Sequence, residues 1–501
     1  MGIVIRQSVK ATVVSYTGAA IGAVSVLLIY PKCLSAEQIG LVRILTEAAL
    51  LIAAFAQLGM ASMSIKFFPY FRNKEKNHNG FPFIMTTLPL VGFIIFLLVF
   101  RFIKEGLVST FSERSALFGE YIVYLIPLTL FSIYTTVYET YSSLLERIVV
   151  PKFIREILVR LMTIAIIILF FLKIITLKQF ILLFVCVYGV ATVLIILYVN
   201  TQQRIRLKPQ LGFLKKGLRK DMLKFMLFMI SVGVGTSISG KIDVFMISQK
   251  ISLTGTGIFT IAFFMASFIE MPSRAIAQIT VPFVSQALKD NDMPRVSMLY
   301  KRVSINQLTI AGLLFCLIWI NSDNFFKIMP NGEIYESAKY VILFIGAAKL
   351  FDAVTGINSA ILGNSKYYYY SLLFIFILAI ISVVNNLLFI PIYGVVGAAI
   401  ATAVSLFLFN TCMVLFVWWK LKVQPFTLNT LKSILAIVLV LAINLLLKEM
   451  ANPWLDVLIR SSLSTVVFVL TVYFLKASDD INALAGNAIE RLRNWRNTPS
   501  S

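Results

Sequence analysis

The chain has 501 residues, 59% of them hydrophobic, and its 45 Lys and Arg against 23 Asp and Glu give a formal net charge of +22. A mean hydropathy of +0.88 excludes a water-soluble globular protein, and on so apolar a chain the basic excess reads as a topology signal rather than a nucleic-acid site. The four cysteines, Cys33, Cys186, Cys316 and Cys412, are scattered without metal or redox spacing and read as packing residues, and a single histidine, His78, builds neither a metal site nor a histidine relay.

A helix needs about 20 apolar residues to cross the hydrocarbon of a bilayer. Fourteen stretches meet that need, near residues 8–30, 41–64, 81–102, 118–142, 149–172, 178–199, 222–246, 256–287, 303–326, 337–363, 368–390, 395–419, 431–448 and 458–476. They are continuously apolar and do not alternate, so the expected class is an all-α integral membrane protein rather than a barrel. The first stretch follows a short basic start, Arg6 and Lys10, and no small-residue cleavage site closes it, so it is expected to be retained. His78 falls in the polar loop RNKEKNHNG after span 2. Arg204, Arg206, Lys208, Lys215, Lys216, Arg219, Lys220 and Lys224 crowd the connection between spans 6 and 7. The bias of basic loop residues places that side, and both termini, in the cytoplasm, with some attraction to anionic lipid headgroups. The longest connection, about 200–221, is too short for a soluble catalytic domain, so an enzyme is not expected.

Two short turns repeat. LSAEQIGL at 34–41 leads into span 2 and ISLTGTGI at 251–258 leads into span 8, with Ser and Gly at equal spacing 217 residues apart. The organisation expected from this is a first lobe at 1–200, a basic linker at 201–221, a second lobe at 222–420, and two further spans with a tail at 421–501. Internal repeats with a site between them are a recurring transporter plan. Span 7 is small and polar from Ser231 to Gly240, and span 8 is long and holds Pro272 and Pro282. Bends are expected there, and this pair is the candidate moving gate.

Acid and base stand three or four residues apart, on one helix face, in four spans: Arg43/Glu47, Glu156/Arg160, Glu270/Arg274 and Lys349/Asp352. Lys241 and Asp243 in span 7 are two apart and need separate partners, while Glu139 at the end of span 4 is expected to be solvated. A charge at mid-bilayer costs roughly 2.5–3.5 kcal/mol on insertion scales, so these require pairing, a wet cavity, or both. Arginine holds phosphate bidentately and keeps its proton; a carboxylate beside a cation can bind and release H⁺ or Na⁺. Together they point to an anionic substrate coupled to cation flow, with Arg43/Glu47 and Glu270/Arg274 in the matching second helix of each half.

Residues 385–405, NNLLFIPIYGVVGAAIATAVS, closely resemble the turn between spans 11 and 12 of bacterial polysaccharide flippases. KIDVFMI at 241–247 followed by GIFTIA at 257–262 is similar to that family's passage from span 7 to span 8, with Asp243 at its acidic position, and Ile39-Gly40-Leu41 is similar to the first-half turn. The pattern covers nearly the whole chain and resembles Wzx-type flippases of the multidrug/oligosaccharidyl-lipid/polysaccharide exporter superfamily. The resemblance implies translocation of an undecaprenyl-diphosphate-linked oligosaccharide across the bacterial inner membrane for O-antigen, capsule or exopolysaccharide assembly, through a cationic central cavity lined by spans 1, 2, 7 and 8. Arg43 and Arg274 match the helices that carry basic residues in related peptidoglycan-precursor flippases, whereas span 1 here has no mid-helix arginine, which favours the polysaccharide branch. The expected substrate-binding residues are Arg43, Lys241, Arg274 and Lys349, and the expected cation-coupling residues are Glu47, Asp243, Glu270 and Asp352. No cofactor or metal is expected beyond coupling H⁺ or Na⁺. Expected partners are the lipid-linked oligosaccharide, membrane lipids, and polysaccharide polymerase and chain-length proteins, with no nucleic acid. The alternative is a cation-coupled exporter of drugs or small metabolites in the same superfamily, usually with twelve spans.

Overall fold

The computed structural model describes residues 3–73, 77–205, 209, 216–480 and 482–483; Arg206, Lys208 and Lys215 of the basic cluster lie outside them. Every regular element among the described residues is helical. Among the described residues eleven helices are long and apolar enough to cross a membrane, and a bent pair makes a twelfth. These include α1 Lys10–Cys33, α2 Ala36–Ala56, α3 Phe81–Ser112, α4 Ala116–Leu144 and, after α5 at 149–171, α6 Leu177–Gln202, α7 Lys216–Lys250, α8 Leu253–Lys289 and α9 Met293–Ile320. The bent pair is α10, Lys339–Thr355 with Asn358–Asn364, which turns by 48°. The run Tyr369–Leu421 is two arms, α11 (369–393) and α12 (395–421), followed by α13 Leu428–Leu445 and α14 Pro453–Phe474.

The two crossings beyond twelve come from breaks within helices. Gly394 takes φ 59°, ψ −134°, a conformation open to glycine and strained for any residue with a Cβ, so the 53-residue run reverses there, three residues after Pro391. Segment 149–171 passes from Val149–Phe153 through a π turn at Ile154–Leu158 to Val159–Phe171. Fourteen helical arms result, as hydropathy predicted.

Large apolar side chains face outward along these arms: Leu428 is 80% exposed, Phe474 75% and Ile279 70%. Water would not tolerate so extensive an apolar exterior, and hydrocarbon does. The chain is a multi-pass membrane protein. Of the four cysteines only Cys316 is buried; Cys186 and Cys412 face outward and Cys33 is half-buried, so packing accounts for one of them.

The chain forms two compact units, Met1–Thr260 and Ile261–Ser501. In the first, an aromatic core of Phe67, Phe68, Phe71, Phe81 and Tyr141 joins the short helix Met60–Phe71 to α3 and α4. His78 belongs to this core rather than to a solvated loop. It is 1% exposed, its Nδ1 accepts from the Asn73 amide at 3.1 Å, and its Nε2 lies 2.7 Å from Gln203 Oε1. The ring is thus neutral with its proton on Nε2. In the second unit, one core gathers Ile269, Leu308, Phe315, Ile437 and Phe468, and another gathers Val284, Tyr300, Ile361 and Met413.

Candidate functional site

The turns that repeat in sequence do matching work in space. Ser35 caps α2 through a reciprocal box with Gln38, at 3.2 Å and 3.0 Å, and Ser252 caps α8 by accepting the Gly255 amide at 3.0 Å. Five residues past each serine stands a glycine at a helix crossing. A Cβ on Gly40 would lie 1.9 Å from Leu253 O, and one on Gly257 would lie 1.9 Å from Ala36 O. The two contacts are equivalent in the repeat register, since Gly257 follows Gly40 and Leu253 follows Ala36 by 217 residues, so the two turns pack reciprocally, small residue against backbone.

These helices carry the charges. On α2, Arg43 Nη2 meets Glu47 Oε1 at 2.9 Å, as the four-residue spacing predicts. The other Glu47 oxygen is taken by Lys241 Nζ from α7, which supplies the partner that Lys241 needed. Glu47 is 8% exposed, whereas the Arg43 side chain is one-third exposed and its buried Nε has no hydrogen-bond partner among the described residues. Asp243 is buried and leaves α7 about 200° around the helix from Lys241, given 3.6 residues per turn.

The second unit repeats this arrangement with different spacing. Along α8 the helix tightens to a 3₁₀ turn at Phe268–Glu270 before resuming at Met271, with Pro272 in the first turn where its missing N–H costs nothing. Glu270, at the end of that turn, accepts from Arg274 Nε at 2.7 Å and from Lys349 Nζ of α10 at 2.6 Å. Arg274 is the most open of the group, its side chain 74% exposed. Lys349 therefore does not pair with Asp352, three residues on. Asp352 instead accepts from Asn410 Nδ2 of α12 at 3.0 Å, and the Asn410 carbonyl accepts from Asn358 Nδ2 at 3.0 Å. In each unit a glutamate is held between an arginine of its own helix and a lysine of another, leaving a formal charge of +1 per trio.

Other charged side chains in the spans are paired as well. Arg160 pairs with Glu156 at 3.4 Å and donates to Gly18 O of α1, so that pair ties α5 to α1. Glu139, expected to be solvated, meets Arg155 at 2.6 Å. One pair was missed by reading span 14 from residue 458: Asp456 and Arg460, four apart in α14, bonded at 2.8 Å and almost fully buried. Asn324 donates to Asp456 at 2.6 Å, and Arg460 reaches Asn444 at 2.7 Å and Leu447 O at 3.1 Å. No cluster of three His, Cys, Asp or Glu side chains suited to a metal ion occurs among the described residues.

No family profile matches this chain, and no curated sequence does. Solved structures do match its fold. A structure described as the lipid II flippase MurJ in an inward closed conformation aligns with a TM-score of 0.72 at 13% identity, over 93% of this chain and 98% of that one. An inward-facing multidrug resistance MATE transporter of the MOP superfamily gives 0.58 at 14% identity, over 82% and 94%. A MATE protein in complex with MaL6 gives 0.53 at 13% identity, over 84% and 96%. The chain shares the helical transporter fold of these proteins.

Proposed function

We propose that this chain is a flippase that carries an undecaprenyl-diphosphate-linked oligosaccharide across the bacterial inner membrane by alternating access coupled to H⁺ or Na⁺. The observation that carries the reading is the pair of trios set in membrane-spanning helices, Arg43–Glu47–Lys241, with a formal charge of +1, and Arg274–Glu270–Lys349, whose surplus is balanced by the nearby Asp352. Charge is expensive there, and a surplus of cation is a standing demand for an anion. A diphosphate meets that demand, and guanidinium is the group that grips it bidentately.

The trios also suggest how coupling works. Glu47 occupies donors of Arg43 and Lys241 that a diphosphate would use, and Glu270 does the same to Arg274 and Lys349. A proton or Na⁺ taken up by the carboxylate would release both cations to the substrate; loss of that cation would return the glutamate and expel the diphosphate. Asp352, beside the amides of Asn410 and Asn358, and Asp243 are the further coupling candidates. Both termini are assigned to the cytoplasm, from the bias of basic loop residues. The lipid-linked oligosaccharide would come from, and pass to, the glycan assembly machinery, with polymerase and chain-length proteins as partners.

A second reading, a cation-coupled exporter of drugs or small metabolites, is favoured by the likeness to MATE structures. The higher TM-score of the flippase structure and the presence of α13 and α14 weigh toward a lipid-linked substrate. The test is neutralisation: Arg274→Gln and Lys241→Gln should each abolish surface glycan while leaving membrane insertion intact. Normal glycan in both variants would refute the assignment.

A further inference from the structure

The first unit carries a groove between the short helix Met60–Phe71, α3 and the start of α7. Met63, Ile84, Leu88, Met222 and Met226 line it, and it holds about 340 Å³, where one water takes roughly 30 Å³. Val91 and Leu223 of its wall are about half exposed, so it opens sideways onto the apolar exterior. Only two of its wall side chains are polar. Thr87 spends its hydroxyl on Phe83 O at 2.7 Å, and Arg219 stands exposed at the end where α7 begins. An apolar recess open to a bilayer fills with hydrocarbon, because water there would leave its hydrogen bonds unmade.

The wall is graded from charge to hydrocarbon in the order of a lipid. Arg219, Met222, Leu223 and Met226 recur at three- and four-residue spacing on one face of α7, so the guanidinium comes first and apolar side chains follow it inward. On the short helix Lys66 follows Met63 by three residues, and its Nζ lies 4.1 Å from the centre of the Phe225 ring of α7. Lys220 and Lys224 are exposed near Arg219, and Asp221 is the one acid from residue 216 to 226. The bias of basic loop residues assigns this end to the cytoplasm, whose leaflet carries anionic headgroups. Along α3 the wall runs from Phe83 to Val91 without a charge, about 12 Å at about 1.5 Å per residue, within the roughly 15 Å of hydrocarbon that one leaflet contributes. We propose that this groove seats an acyl chain of an anionic phospholipid of that leaflet, with the lipid phosphate on Arg219. The occupant bridges α3 and the first turns of α7, the helix that supplies Lys241 to the first trio. The site does not rest on the flippase reading.

The test is lipid retention by the purified full chain in detergent, read by native mass spectrometry with phosphatidylglycerol and phosphatidylcholine of identical acyl chains. One phosphatidylglycerol should be held about tenfold more tightly than phosphatidylcholine. Arg219→Gln should erase that preference, and Val91→Trp, which fills the groove from an exposed position, should weaken retention of both lipids. Lys250→Gln removes the same charge at the far end of α7 and should change nothing. Equal retention of the two lipids, or retention unmoved by Arg219→Gln or Val91→Trp, would overturn the site. A loss in Lys250→Gln as large as in Arg219→Gln would overturn it too, as the mark of diffuse charge. Displacement of phosphatidylglycerol by an equal concentration of undecaprenyl phosphate would make the groove a polyprenyl site instead.

Discussion

Gly40 and Gly257 stand 217 residues apart, and each closes against the backbone that opens the other's helix: Gly40 on Leu253 O and Gly257 on Ala36 O. Because the positions correspond in the repeat, the crossing is a local two-fold relation between the starts of α2 and α8, the helices that carry Glu47 and Glu270. A methyl group at either position has no free space, and the opposing atoms are backbone.

Gly40→Ala and Gly257→Ala should therefore each destabilise the protein by about 1–3 kcal/mol, the usual range for overpacking. The double variant should be non-additive, since both strain one contact. Gly106→Ala, where nothing lies within 4 Å, should be neutral or gain about 0.5–1 kcal/mol. Thermal unfolding of the purified protein in detergent checks all four.

Glu47 is buried between two cations, so removing one partner and removing both have different consequences. Glu47→Ala leaves Arg43 and Lys241 uncompensated in apolar surroundings and should cost about 3–5 kcal/mol. Glu47→Gln/Lys241→Gln removes opposite charges together and should recover most of that stability without recovering translocation. A double-mutant cycle on unfolding, run beside a glycan assay, separates the folding role from the transport role.

Asp456 and Arg460 fasten α14 to Asn324 and to the end of α13. Arg460→Met alone strands a buried carboxylate and should destabilise by about 3–5 kcal/mol, whereas Asp456→Leu/Arg460→Met, which keeps volume and removes both charges, should approach neutrality. Limited proteolysis between α13 and α14 reports the difference.

Much of this was legible in the sequence. Hydropathy located all fourteen arms, and the repeated Ser and Gly of the two turns proved to be a helix cap and a helix crossing. Pairing within one helix was legible as well, since Arg43/Glu47 and Glu270/Arg274 meet as their spacing requires. Pairing between helices was not. Lys349 chooses Glu270 over its neighbour Asp352 because α10 lies against α8, and nothing local to residues 349–352 encodes that. His78 sits among polar residues in sequence, yet Phe68 and Tyr141 enclose it because the Met60–Phe71 helix folds its aromatic face back over α4. The Asp456–Arg460 pair obeyed the four-residue rule and was lost only because the span was begun too late.

Below the end of α14, Asp480 accepts from Arg302 Nε at 2.7 Å and from Asn306 at 2.6 Å. The hydrogen bond from Arg302 holds the Asp480 carboxyl below its ordinary value. A carboxylate depressed by folding contributes stability above its unfolded pKa of about 3.9, and that contribution is lost as pH falls through the lower folded value. The pair is partly exposed, so its share should be about 0.2–1 kcal/mol at neutral pH and smaller in high salt. Asp480→Asn should remove that share at pH 7, and the difference from the parent protein should shrink as pH falls below the unfolded value, as read from unfolding midpoints along a descending pH series.

The central claim is that lipid-linked oligosaccharide crosses the membrane through this protein. Its most direct test deletes the gene in a strain without a second flippase and sorts the undecaprenyl-diphosphate-linked intermediates by leaflet. Intermediates stranded on the cytoplasmic face, restored to the outer leaflet by the wild-type gene and not by Arg274→Gln or Lys241→Gln, are the predicted result. An unchanged leaflet distribution with normal surface glycan after deletion would contradict the account.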